Sequence, residues 1–139
     1  MRAPGPLCPS APPDWPDARL IGVAAGTAEA PAIGYTGPMP VTPDLLALAA
    51  PVEPTEVFRF AATCQERACH HFDGRRCGLV RKVVALLPEA ASDLPRCGIR
   101  RDCRWWQEEG AAACRRCPQV VTDNPAVDAG LAAALRADA

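Results

Sequence analysis

Apolar residues recur with helical spacing most clearly from Gly78 to Leu87. Leu79, Val83 and Leu86 fall on one stripe, Val80, Val84 and Leu87 widen it, and Arg81 and Lys82 face the other way. The valines are poor helix formers, so this helix needs packing to persist. Past Pro88 it has room to restart through Glu89–Ala91, and Pro95 is the firmer boundary. Arg101–Glu109 predicts a second helix, with Asp102 as N-cap, Gly110 as terminator, and Cys103, Trp106 and Gln107 on one face. Residues 111–114 give a further helical turn, and Asp128–Ala137, around Leu131 and Leu135, a C-terminal helix. Upstream, Thr42–Pro43–Asp44 has the form of an N-cap followed by proline at the first helical position, opening a short helix that Pro51 limits. Val57–Phe60 is assigned as an extended segment, with Phe58 and Phe60 on one face and Arg59 on the other.

Composition changes the picture at the N-terminus. Twelve of the sixteen prolines lie in residues 1–54, and residues 1–40 hold five glycines. This predicts a mostly irregular arm, anchored by Trp15 and Tyr35. The expected fold class is therefore a small, mainly-α, Cys-rich, metal-stabilised domain with irregular loops and an irregular Pro-rich N-terminal arm. The expected division is an arm with one short helix over 1–56, a Cys-rich domain over 57–121 and a short helical tail over 122–139.

Seven of the eight cysteines fall between positions 64 and 117: Cys64, Cys69, Cys77, Cys97, Cys103, Cys114 and Cys117. Cys8 stands apart and is read as a spectator. A domain of this size has a marginal apolar core and gains from a staple. In a reducing compartment, clustered cysteines point to metal before disulfides. The second group, Cys97, Cys103, Cys114 and Cys117, supplies four soft ligands. The first, Cys64, Cys69 and Cys77, supplies three, folded together by an Asp73–Gly74 turn, with His71, His70 or a borrowed Cys97 as a fourth. One cluster drawing on both groups, such as Cys64, Cys77, Cys114 and Cys117, and two separate sites both fit. The proline after Cys117 resembles the end of bacterial ferredoxin cysteine runs, but only over Cys114–Pro118. The remaining spacings depart from that run, so no family is assigned.

These residues point to an iron–sulfur protein, with a [4Fe–4S] cluster as cofactor, acting in electron transfer or redox sensing for a redox or regulatory partner protein. A zinc-stabilised interaction module is the alternative, since only Cys114–Cys117 has the short spacing of zinc knuckles. A cluster with one open iron approached by His71 is another. Residues 64–117 carry eleven basic against seven acidic side chains, a net +4, while both flanks are acidic. That excess is too modest to favour nucleic acid, although five arginines surround Trp105–Trp106. Residues 1–25 have no signal-peptide apolar core, and no run suits a membrane helix, which leaves a cytoplasmic expectation. There is no Walker A, no Gly-x-Gly-x-x-Gly, no His-Glu-x-x-His and no radical-initiating C-x3-C-x2-C, so enzymatic activity is left open.

Overall fold

A computed structural model of the protein describes residues 5–27, 31–69, 71–91 and 93–120. Its centre is a four-stranded antiparallel sheet in the order β1–β4–β2–β3. The strands are β1 (Leu7–Cys8), β2 (Arg19–Gly26), β3 (Pro31–Pro40) and β4 (Phe58–Thr63). Three of the four come from the stretch read as an irregular arm, so the mainly-α expectation is replaced by a mixed α/β domain. The reason is long-range pairing. Arg19 lies opposite both Pro40 and Ala61, so β2 is bonded on both sides and needs little intrinsic strand propensity. A register shift between Leu20 and Gly22 bends β2. Gly22 is required there: a Cβ would lie 2.5 Å from the Ile33 side chain.

The helices are short. They are α1 (Pro43–Ala47), α2 (Pro54–Val57), α3 (Gly78–Leu86), α4 (Arg104–Glu109) and α5 (Ala111–Cys114). Thr42 caps α1 by accepting from the Leu45 N–H at 3.1 Å, as its sequence predicts. The Cys103 backbone, not Asp102, is the N-cap of α4. Arg100–Asp102 forms a separate 3₁₀ turn, and Gly110 ends α4 with φ of 64°. Leu87 is extended, so α3 does not continue into Glu89–Ala91. The expected helix over Asp128–Ala137 lies outside the described residues.

Both faces of the sheet are covered. On one, Ile21 and Ala61 pack against Val80, Val83, Cys103, Trp105, Ala113 and Cys117. On the other, Leu20, Phe58 and Phe60 pack against α1 and α2, and Ala62 packs with Ala11, Ala18 and Trp15. The buried stripe of α3 runs through Val80 and Val83, while Leu86 is 51% exposed. The Phe58–Arg59–Phe60 alternation holds, but Arg59 faces a second core instead of water.

Candidate functional site

Four thiols line one small cavity under the sheet. Cys97 precedes the Arg100–Asp102 turn, Cys103 caps α4, Cys114 ends α5 and Cys117 opens the Cys117–Gln119 turn. Ile21 and Tyr35 from the sheet, Pro9, Arg100 and Trp105 complete the walls, around a volume of about 20 Å³. Cys103 and Cys117 are buried, whereas Cys97 and Cys114 are half-buried.

Arg59 organises this site. It is 5% exposed, and each of its nitrogens has a partner. Nε donates to the Pro9 carbonyl. Nη1 donates to the carbonyls of Cys117 at 2.8 Å and Val120 at 2.9 Å, and Nη2 to Cys117 Sγ at 3.0 Å. The guanidinium also lies 5.9 Å from the centre of the Trp105 ring. Among the described residues these acceptors are neutral carbonyls or the Cys117 sulfur, so that sulfur is the group there that can balance the buried charge. The Tyr35 hydroxyl donates to the same sulfur at 3.5 Å. Burial first, then the nearby Cys117 sulfur, hold the Tyr35 phenol far above its ordinary value, so it remains a donor. Cys117 Sγ is thus placed as a hydrogen-bond acceptor between a cation and a phenol.

The other three thiols differ. Burial pushes Cys103 and Cys97 up. Burial also raises Cys114, although a hydrogen bond and the positive charge of Arg100 oppose it. Trp105, only 2% exposed, has no partner for its indole N–H among the described residues, and neither has Arg100 for its Nε.

The remaining cysteines gather elsewhere. Cys8 lies opposite Ala62 across the β1–β4 pair, and the Cys64 N–H extends that ladder to the Pro6 carbonyl at 2.8 Å. Burial pushes the Cys8 thiol up to about 12, and the Cys77, Cys64 and Cys69 sulfurs add to the shift. Cys8 therefore lies on the strand pair that leads into Cys64, less isolated than its sequence position suggests. Cys69 and Cys77 are tied through a loop in which Asp73 accepts from the Arg75 and Arg76 N–H groups, the turn its sequence predicts. Those backbone bonds lead the causes that hold the Asp73 carboxyl below its usual range. The His71 carbonyl accepts from Gly78 N–H at the start of α3. His70 lies outside the described residues.

The metal readings do not survive this geometry. Among the described residues, no three Cys, His, Asp or Glu side chains come together in a group able to hold a metal ion. This overturns the [4Fe–4S] assignment, the zinc alternative, the open-iron variant with His71, and the metal-stabilised fold class. The site residues Cys64, Cys69, Cys77, Cys97, Cys103, Cys114 and Cys117 are all free thiols. Physically, Cys77, Cys103 and Cys117 serve as members of the apolar core, and Cys117 is engaged by Arg59 and Tyr35. Arg59 and Tyr35 are site residues that cysteine spacing does not reveal. The signal for Arg59 was its place between two phenylalanines on a strand.

Among the described residues no helix is long and apolar enough to cross a membrane. No family model, curated protein or solved structure matches the chain.

Proposed function

We propose that this protein acts through the chemistry of its own sulfurs, with Cys117 as a nucleophilic thiolate that reacts with hydroperoxides. The observation that carries this reading is the convergence of Arg59 and Tyr35 on Cys117 Sγ inside a cavity lined by three further thiols. A positive charge beside a sulfur favours the thiolate form that attacks electrophiles.

Cys117 sulfur attacks the terminal oxygen of a hydroperoxide; the S–O bond forms and the O–O bond breaks. The sulfur loses two electrons and the peroxide gains them. The displaced alkoxide takes the hydroxyl proton and leaves as an alcohol, or as water from hydrogen peroxide, and the sulfur remains as sulfenate. Cys114, three positions earlier, then attacks that sulfur as its thiol proton passes to the sulfenate oxygen. An S–S bond forms, and the oxygen leaves as hydroxide and becomes water with a proton from solvent. Arg59 and Tyr35 hold the attacking sulfur. A partner protein bearing a dithiol restores the reduced state by exchange, and fits the expected redox or regulatory partner.

The test is oxidation of the reduced full chain with limiting hydrogen peroxide, followed by mass mapping of each thiol. Cys117 should be oxidised first and appear in a disulfide with Cys114. Cys117→Ser should abolish that product, and Arg59→Lys, if folded by circular dichroism, should slow it. Reaction of Cys117 no faster in the folded chain than in the unfolded one would overturn the proposal.

A further inference from the structure

We infer that the cavity at Cys117 is a size filter. It admits hydrogen peroxide to the sulfur and excludes hydroperoxides that carry a bulky organic group, and Ile21 sets the limit. The choice of oxidant rests on the hydroperoxide reading of Cys117; the filter itself is tested apart from it below.

Cys117 is only 7% exposed, so an oxidant approaches its sulfur through the cavity that the residue lines. Arg59 Nη2 at 3.0 Å and the Tyr35 hydroxyl at 3.5 Å already take up two directions around that sulfur. The cavity measures about 20 Å³. A water needs about 10–15 Å³, so the space suits a polar molecule of one or two heavy atoms and not a branched alkyl group.

The wall follows from the sequence. Leu20 packs in the core beside Phe58 and Phe60, whereas Ile21, at the register shift in β2, packs in the other core with Cys117. Ile21 and Ala113 are fully buried and Trp105 nearly so, and all three line the cavity. Side chains packed this closely yield little space without strain. Two lining residues also keep donors without a partner among the described residues, Trp105 Nε1 and Arg100 Nε. A peroxide oxygen that reaches such a donor offers it a lone pair, which an alkyl group does not. With hydrogen peroxide, the sulfur takes one oxygen as the O–O bond breaks. The other oxygen leaves with the hydroxyl proton as water, and sulfenate remains.

The experiment measures Cys117 oxidation by mass mapping, with hydrogen peroxide and with tert-butyl hydroperoxide, in the folded chain and in the urea-unfolded chain. Dividing the folded ratio of rates by the unfolded ratio removes the intrinsic difference between the oxidants. The folded chain should favour hydrogen peroxide by about 100-fold, and Ile21→Ala should cut that preference by about tenfold. Ile21→Val, the milder variant should Ile21→Ala fail to fold by circular dichroism, should shift it in the same direction. A folded preference equal to the unfolded one overturns the filter and leaves Cys117 as the reactive thiol. A preference unchanged in folded Ile21→Val overturns the role of Ile21. Labelling with methyl and benzyl methanethiosulfonate reads the same opening without peroxide, and the methyl reagent should react faster after the same normalisation. Cys117 inert to both peroxides but selective here overturns only the hydroperoxide reading, whereas equal labelling overturns the filter.

Discussion

Two buried arginines sit beside the two sets of cysteines in different surroundings. Arg59 donates to Cys117 Sγ at 3.0 Å, whereas Arg104 pairs with Glu66 and Glu108, and the Glu66 N–H approaches Cys64 Sγ at 3.4 Å. Arg59 is otherwise satisfied by backbone carbonyls and an indole face. Arg104 is neutralised by two carboxylates, one of them 56% exposed. The lesson is that the number of cysteines in a group does not set its chemistry. What matters is whether the nearby positive charge is already spent on a carboxylate. Around Arg59 the side-chain acceptor is the Cys117 sulfur.

The two groups are also neighbours in the chain. Leu7 bridges to Cys103, Cys8 pairs with Ala62 two positions before Cys64, and Pro9 accepts from Arg59. Cys103 lines the first cavity while Arg104, the next residue, serves the second. Two short pieces, Leu7–Pro9 and Cys103–Arg104, therefore touch both sites.

The largest expected effect breaks the first side of the comparison. Arg59→Met removes the charge from Cys117 and strips partners from the Pro9, Cys117 and Val120 carbonyls. It should destabilise the domain by about 3–5 kcal/mol in denaturant titration, the range for dismantling a buried charged network. A loss under about 1 kcal/mol would mean that Arg59 does not organise the site.

Alkaline pH acts on both groups. Cys8 and Cys103 are each raised above the ordinary thiol value of 9.0, Cys8 to about 12. The folded state therefore keeps protons that the unfolded chain releases, so this stability is complete below pH 9 and falls as pH rises from 9 toward 12. Each such thiol contributes about 1.4 kcal/mol per pH unit within its window. Denaturant midpoints at increasing pH should fall accordingly, and Cys8→Ala should make the slope shallower. A flat profile above pH 9 would contradict the burial of these thiols.

The smallest effect sharpens the second side. Glu66→Gln removes an exposed partner from Arg104 while Glu108 remains, so stability should change by about 0–1 kcal/mol. Because the carboxylate no longer competes for the guanidinium, Cys64 alkylation by iodoacetamide should quicken. An unchanged alkylation rate would show that the charge on Arg104 does not reach the sulfur.

Local structure was legible where local chemistry decides it. The Thr42 cap, the Asp73–Gly74 turn, the core of α3, the Gly110 stop and the extended Phe58–Arg59–Phe60 segment all carry short-range signals. Strands β2 and β3 were hidden because Gly, Ala and Pro interrupt their alternation, and pairing with β4 supplies what propensity does not. The cysteine groups were half legible. Spacing separated Cys64, Cys69 and Cys77 from Cys97, Cys103, Cys114 and Cys117, but the place of Cys8 follows from the register of a two-residue strand. Spacing also favoured metal, because it carries no information about how far apart the sulfurs finally lie. Arg59 was visible as the odd member of an apolar strand, yet its target lies 58 positions away.

The most direct test is the oxidation order of the eight thiols in the reduced full chain under limiting hydrogen peroxide, with iron, sulfide and zinc measured on the same sample. The expected result is that Cys117 is oxidised first, in a disulfide with Cys114, and faster than in the unfolded chain. Cys117 reacting no faster than in the unfolded chain would contradict it, as would stoichiometric metal shielding Cys97, Cys103, Cys114 and Cys117 from oxidant.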